Sequence, residues 1–351
     1  MSLEEVNTHQ SDRQRLVALM QNRVFWPVIA LILLMLFNAF YDASFFSLTI
    51  KNGHLFGSIV DILNRAAPIA LIALGMTLVI ATGGIDLSVG SVVAISGAVS
   101  AYLIANTALD VTGGIIAFSL LVAIIAGAWN GCLVAFLGIQ PIIATLILMV
   151  AGRGIAQLIT GGQILTFEHE GFEWLGGGFI FGLPTSIIVV AFIYCLTFFI
   201  LKYTALGLFI TSVGANPLAS DYVGIREKRI KVFVYAFSGF CAGIAGLILT
   251  SDIQGADANN AGLWSELDAI LAVVIGGTSL MGGRFYLGTT LIGVLILQTM
   301  TTTILTNGLP VQFTHVVKAA VVILVMLVMS PKFRAEVKAL FPDGKGGKRE
   351  Y

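Results

Sequence analysis

Charge is scarce in this chain. Its 351 residues include 19 basic and 19 acidic ones, 11% in all, where a soluble globular domain carries about 25%. That excludes a globular soluble enzyme, and a formal net charge of zero leaves no electrostatic footprint for DNA or RNA. Cysteine is equally rare. Cys132, Cys195 and Cys241 each lie inside an apolar run and none forms a CxxC pair, so neither a disulfide framework nor a thiolate metal site is present, and the three read as packing residues. The four histidines, His9, His54, His169 and His315, are scattered, and there is no H-E-x-x-H and no G-x-x-x-x-G-K-[ST] phosphate loop. A membrane enzyme brings histidines and carboxylates together at one face, and no such cluster is visible. Transport is favoured over catalysis, with no metal or cofactor expected in the chain. A Pro-rich linker, a low-complexity tract, an internal repeat and a second soluble domain are also missing.

Apolar residues are abundant, at 57% of the chain, and the mean hydropathy is +0.96. A membrane span takes about 20 apolar residues, so this supply fills about ten spans. Apolar runs fall at about 24–41, 66–82, 87–106, 113–137, 141–160, 185–202, 231–250, 267–281, 286–306 and 314–330. The expected fold is an all-α polytopic membrane protein of about ten transmembrane helices: a polar segment 1–23, a transmembrane domain 24–330 and a tail 331–351. The eighth run meets Gly276 and Gly277 and is either a full crossing or a half-helix. The first run has no small-residue cleavage site behind it, which points to an uncleaved span and not a removed signal peptide.

Sidedness follows from Lys and Arg. They gather in 1–23 (Arg13, Arg15, Arg23), in 202–231 (Lys202, Arg226, Lys228, Arg229, Lys231) and after 331 (Lys332, Arg334, Lys338, Lys345, Lys348, Arg349). An even number of spans separates these clusters, so all three, and both termini, are assigned to the cytoplasm. Residues 161–184 carry Glu168, Glu170 and Glu173, and 251–266 carry Asp252, Asp257 and Glu266, with no basic residue in either. Both are assigned outside, where a partner would meet acidic, Asn-rich loops; taken singly these charges read as solvated connectors. Glycine recurs at four-residue spacing, Gly127 with Gly131 and Gly239 with Gly243, which lets membrane helices pack closely.

Two segments carry more than composition. From Asn64 to Pro68 and on through Gly83-Gly84-Ile85-Asp86-Leu87-Ser88-Val89-Gly90, paired glycines end one helix and Asp86 or Ser88 can cap the next. The plainer reading makes Asp86 a cap at the cytoplasmic interface, the alternative a pathway residue; Arg65 reads as a snorkelling anchor. In the connection 203–231, Asn216 suits a helix cap, Pro217 the first helical position and Gly224 a stop, which predicts a helix of about two turns. It reads as a rigid knob for a soluble partner or as a plain amphipathic surface helix.

These segments, with Gln140-Pro141-Ile142-Ile143-Ala144-Thr145-Leu146 and Glu266-Leu267-Asp268 running on to Gly276-Gly277-Thr278-Ser279-Leu280-Met281-Gly282-Gly283, occur in one order over about residues 55–330. The chain thereby resembles the ribose-type monosaccharide permeases of bacterial ABC importers. Ala151-Gly152-Arg153-Gly154-Ile155-Ala156-Gln157 and the stretch Ser251 to Trp264 look most like a permease subunit of a galactofuranose importer. The resemblance implies a cobalamin-importer-like (type II) permease fold in a bacterial inner membrane. It also implies a periplasmic sugar-binding protein, a tandem ABC ATPase that holds ATP and Mg, and a second homologous permease in a heterodimer.

Gly207, Gly214, Asn216, Ala219, Gly224 and Ile225 fall on the family's coupling segment, with the basic residues after them able to meet the ATPase or anionic lipid. Gly83, Gly84, Asp86, Ser88, Gly276, Gly277, Thr278 and Ser279 are candidates for pathway or hinge. Asp252, Asp257, Asn259 and Asn260 are candidates for binding-protein docking. The competing reading is an ion-coupled secondary sugar transporter, which needs ionisable groups near the bilayer midplane. Asp61, Asp86, Glu266 and Asp268 all fall at span ends instead.

Overall fold

The structure, a computed structural model, describes residues 24–42, 44–107, 111–308, 310 and 312–329, with 333 and 336 besides. The assignments made for 1–23 and for most of the tail lie outside these residues. The chain divides into two units, one ending at Thr299 and one beginning at Met300.

The first unit is built from helices joined by very short strands. In chain order they are α1 (Phe25–Tyr41), β1 (Thr49–Lys51), β2 (His54–Phe56), α2 (Ser58–Ala81), α3 (Val89–Asn106), α4 (Thr112–Ala135) and α5 (Pro141–Thr160). There follow β3 (Leu165–Thr166), α6 (Glu170–Gly177), β4 (Phe179–Ile180), β5 (Leu183–Pro184), α7 (Thr185–Tyr203), α8 (Leu206–Ala215), α9 (Pro217–Tyr222), α10 (Glu227–Asp252), β6 (Gly255–Ala256) and α11 (Ser265–Ile275). Helix α12 (Leu287–Thr306) runs past the unit boundary. The second unit holds its last turns, a turn at Asn307–Gly308 and α13 (Gln312–Met329). Asn307 closes that turn by donating from Nδ2 to the Thr303 carbonyl.

Among the described residues, seven helices are long and apolar enough to cross a membrane: α2, α3, α4, α5, α7, α10 and α12. Helix α1 is apolar but has 17 residues. The eighth run has two readings, a full crossing or a half-helix. Helix α11 has 11 residues, which at 1.5 Å each reach about 16 Å, about half of a 30 Å hydrocarbon core. It is the half-helix of the two alternatives, because Gly276 and Gly277 end it and the chain then turns into α12.

Helix α2 is buried on nearly all sides from Ala66 to Ala81 and packs against α10, α11 and α7. Helix α10 also packs against α4 and α3. The α4–α10 contact shows why glycine recurs there. A Cβ on Gly127 would overlap the Tyr235 carbonyl, and one on Gly239 would overlap the Ala123 carbonyl and lie 3.0 Å from the Gly127 Cα. In lipid there is no hydrophobic drive between helices, so this backbone-to-backbone approach supplies the attraction through van der Waals contact.

The acidic connections are folded and not loose. Strand β3 pairs antiparallel with β6, joining 161–184 to 251–266, while β4–β5 forms a hairpin beside β1–β2. Helix α6 lies on the end of α10: Ser251 Oγ donates to the Phe172 carbonyl at 2.7 Å and accepts from the Gly176 N–H at 2.7 Å.

Candidate functional site

Three glycine-bearing segments far apart in sequence meet at the end of the bundle that carries α8 and α9. Helix α2 ends at Ala81, whose carbonyl accepts a 2.9 Å hydrogen bond from the Gly283 N–H. A Cβ on Gly214 of α8 would overlap that same carbonyl and lie 2.5 Å from the Gly283 nitrogen. Gly282, at φ +82°, places its missing Cβ 2.9 Å from the Gly83 nitrogen. Only glycine leaves room for three backbones here, and Gly83, Gly282 and Gly283 also take the left-handed conformation that glycine tolerates. Gly276, Gly277, Thr278 and Ser279 form the turn that leads in. Thr278 is buried and its hydroxyl accepts from the Tyr286 N–H at 3.2 Å, while the Ser279 hydroxyl accepts from the Met281 N–H at 3.2 Å.

The α8–α9 segment divides into an inner and an outer face. Gly207 is buried against the Leu201 carbonyl, and Gly214 is half-buried with its missing Cβ directed at the Ala81 carbonyl. Asn216 caps α9, its Oδ1 accepting from the Ala219 N–H at 3.0 Å with Pro217 at the first helical position, and Gly224 (φ +88°) follows its end. The two-turn helix expected from sequence is present. Gly207 and Gly214 point into the chain's own core and the Asn216 oxygen is taken by its cap, so the surface on offer consists of Leu218, Tyr222 and Val223, all strongly exposed, with Ala219 and Gly224 beside them and Ile225 half-buried.

Asp86 departs from its plainer reading as an interfacial cap. It is 1% exposed. Its Oδ1 accepts from the Ser88 N–H at 3.1 Å and the Ser88 hydroxyl at 2.6 Å, and its Oδ2 accepts from the Ser238 hydroxyl at 2.8 Å. Ser88 stands at the N-cap of α3 without making a side-chain cap bond, and its Oγ accepts instead from Asn130 Nδ2 at 2.8 Å. The four residues tie the α2–α3 connection to α4 and α10, all in the buried interior. Three donors thus satisfy the two Asp86 carboxyl oxygens, whose burial without partners would be costly.

At the opposite end the segment 257–266, expected as an outside connector, folds back into the bundle. Arg153, in α5, donates from Nη1 to the carbonyls of Ala258 at 3.1 Å and Ala261 at 2.6 Å. A Cβ on Gly90 in the first turn of α3 would overlap the Gly262 carbonyl and lie 2.5 Å from Glu266 Oε2. Glu266, at the start of α11, is 3% exposed, so it belongs to the interior and not to a solvated loop. Of the docking candidates, Asp252, Asn259 and Asn260 are exposed. Asn259 Oδ1 accepts from Gln157 Nε2 at 2.7 Å. Asp257 is half-buried and accepts from Asn260 Nδ2 at 2.7 Å and from the Asn259 and Asn260 N–H groups. The Asn260 side chain, joined by these two amides and the Arg153 charge, holds the Asp257 carboxyl below the ordinary carboxylate range although burial pushes it the other way.

Sequence reasoning missed four residues that the folded chain makes central: Arg153, Asn130, Ser238 and Tyr235. Arg153 is a lone charge within an apolar run, the signal of an intramembrane residue with a partner. Serine, asparagine and tyrosine in such runs carry no comparable mark. Among the described residues no group of three or more His, Cys, Asp or Glu is placed to hold a metal ion.

Comparison with known proteins accounts for this architecture. Residues 58–326 match the family model described as branched-chain amino acid transport system, permease component. The galactofuranose transporter permease protein YtfT of Escherichia coli K12 is 51% identical over 326 residues, 91% of this chain and 95% of the relative. The fructose import permease protein FruF of Bifidobacterium longum is 40% identical over 320 residues, 90% of this chain and 89% of the relative. The ribose import permease protein RbsC of Escherichia coli K12 is 37% identical over 309 residues, 87% and 93% respectively. No solved structure matches the chain. With seven membrane-length helices and relatives matched over nearly their whole length, this chain belongs to the ribose-type monosaccharide ABC importer permeases.

Proposed function

We propose that the chain is the membrane subunit through which an ATP-driven importer passes galactofuranose into the bacterial cytoplasm, receiving it from a periplasmic binding protein. The observation that carries the sugar assignment is the 51% identity to the galactofuranose permease over 91% of the chain. The names of the three relatives give galactofuranose, fructose and ribose, and all three sugars form five-membered rings, so a furanose is the common chemistry.

On this reading a tandem ATPase docks on the apolar knob of Leu218, Tyr222 and Val223, and holds ATP and Mg. Gly214 and Gly207 transmit the movement of that knob to the ends of α2 and α7, because their backbones leave no slack. The outer rim at Asp252, Asn259 and Asn260 meets the binding protein, and a second homologous permease completes a heterodimer. Both termini and the basic 202–231 segment face the cytoplasm. Discrimination among sugars resides mainly in the binding protein.

Gentle affinity purification of the chain from its native membrane, with mass identification of what accompanies it, tests the assembly. A tandem ATPase and a second permease are expected. Recovery of the chain alone, taking up sugar into liposomes without ATP and stopping when the ion gradient is collapsed, would establish the ion-coupled transporter instead.

A further inference from the structure

The crossing that α11 makes only in half is completed by irregular chain. At the end of the bundle away from α8 and α9, Ala256 shares a buried cluster with Ala101 of α3. Ala258 shares the next one with Ala94, Ile95 and Ala98, and a Cβ on Gly262 would lie 2.7 Å from the Gly90 carbonyl and 2.9 Å from the Val93 Cβ. From Ala256 to Gly262 the chain thus descends along α3 from Ala101 to Gly90, about 16 Å at 1.5 Å per helical residue. Gly90 stands in the first turn of an 18-residue membrane-length helix, so Gly262 lies deep in the span. Helix α11 begins from there, at Ser265.

Non-helical backbone at membrane depth persists only where protein buries it or water reaches it, because lipid offers no hydrogen bonds. Protein covers one side: the Ala258 and Ala261 carbonyls accept from Arg153, and Gly262 closes on α3. The other side is uncovered. Asn259, Asn260, Leu263 and Trp264 are all exposed, Trp264 by 49%. Asn259 engages Gln157 through its Oδ1 and Asn260 engages Asp257 through its Nδ2. That leaves the Asn259 amide nitrogen, the Asn260 amide oxygen and the Trp264 indole N–H without a partner among the described residues. Trp264 also holds a left-handed backbone, φ +65°, which disfavours a bulky side chain and persists only where the surroundings impose it.

Lipid would leave these polar groups unpaired at a cost. A sugar ring would not: its hydroxyls donate to and accept from amides, and its C–H face packs on an indole. We propose that residues 259–264 form one wall of the sugar's path through the outer half of the membrane, with Asn259 and Asn260 meeting sugar hydroxyls near the mouth and Trp264 stacking on the ring below them. The proposal rests on the import reading above, under which sugar released at the rim descends along this segment. Two amides and one indole guide a ring without retaining it.

The test uses the importer in liposomes with the subunits that co-purify. Leu263→Cys is reacted with a charged thiol reagent, and Phe192→Cys, at an exposed position of α7, serves as the lipid-facing reference. Wild type treated alike corrects for the native cysteines. Position 263 is expected to react at least tenfold faster than position 192, and its modification to stop ATP-driven uptake while treated wild type still transports. Trp264→Leu is expected to lower uptake at least fivefold without a change in melting temperature, and Trp264→Tyr to retain most of it, because the aromatic face and not the volume serves the sugar.

Reaction at 263 no faster than at 192 overturns the wall, and acceleration on removing the second permease would identify that subunit as the cover instead. Full uptake by Trp264→Leu, or by Leu263→Cys after modification, overturns it as well. Wild-type uptake with and without ATP is measured in parallel. ATP-dependent uptake with an unreactive position 263 removes only the wall, whereas uptake that ignores ATP removes the import reading itself.

Discussion

The Ser238 hydroxyl donates to Asp86 Oδ2 at 2.8 Å across 152 residues of sequence, tying the middle of α10 to the connection that starts α3. Replacing Asp86 by alanine strands three donors in the interior, and each donor left without an acceptor costs about 1–3 kcal/mol. Asp86→Ala is expected to abolish the folded monodisperse protein, Asp86→Asn to weaken it, and Ser238→Ala to cost least, about 1 kcal/mol for one hydrogen bond. Fluorescence size-exclusion after graded heating orders the three. A heat-stable Asp86→Ala variant would contradict the burial described for this carboxylate.

Gly214 and Gly224 separate packing from backbone conformation. A methyl at 214 meets the Ala81 carbonyl, and overpacking of this sort costs about 1–3 kcal/mol. At 224 nothing lies within 4 Å, and Gly224→Ala pays only for φ +88°, about 1 kcal/mol. Thermal unfolding should therefore show the larger loss for Gly214→Ala. Gly214→Trp is expected to remain in the membrane and to lose sugar-stimulated ATP hydrolysis in the assembled importer; normal coupled activity in that variant would refute the transmission role.

Arg153→Met removes the donor to the Ala258 and Ala261 carbonyls while keeping much of the side-chain volume. Hydrogen exchange of residues 255–264 should accelerate at least about tenfold, the change expected when about 1.4 kcal/mol of local stability is lost. Exchange in α7 serves as the unaffected reference.

Asp257 gives a pH dependence of known sign. Its carboxyl is held below 3.8 in the folded loop, so the stabilisation is fully present above that ordinary value and disappears as pH falls through the lower folded value. The loop around Asn259 and Asn260 is thus expected to keep its structure down to pH 3.8 and to loosen only in stronger acid. Fluorescence of a probe at Asn259→Cys, titrated downward in the wild type and with Asp257→Asn, checks this. Asp257→Asn should abolish the acid transition.

Much of the outline was legible because lipid imposes rules that sequence obeys directly. Apolar runs located the long helices, and Asn216, Pro217 and Gly224 delimited α9, since each step rests on local chemistry. The four-residue glycine spacing pointed to the α4–α10 crossing because close approach requires small residues at that period. The interior was harder. Asp86 looked like an interfacial cap since its acceptors' partners, Ser88 excepted, come from α10 far along the chain. The 257–266 segment looked like a solvated loop because its composition is polar, and the element that buries it is Arg153, more than a hundred residues earlier. Tyr235 gave no signal at all, an aromatic residue in an aromatic-rich helix start.

The bond between Arg153 and the 257–264 loop has a consequence for how the protein is made. Arg153 enters the bilayer with α5, and its acceptors at Ala258 and Ala261 lie 105 and 108 residues further on. At bacterial and eukaryotic synthesis rates of about 5–20 residues per second, the ribosome needs about 5–20 s to supply them. For that interval the Arg153 guanidinium lacks its final acceptors, and an unpartnered arginine at the centre of a span costs about 2.5–3.5 kcal/mol on insertion scales. The nascent chain must therefore shelter α5 beside α3, at the insertion machinery or by snorkelling, until α10 and the returning loop arrive. The last half of the protein acts in this sense as an intramolecular chaperone for the first.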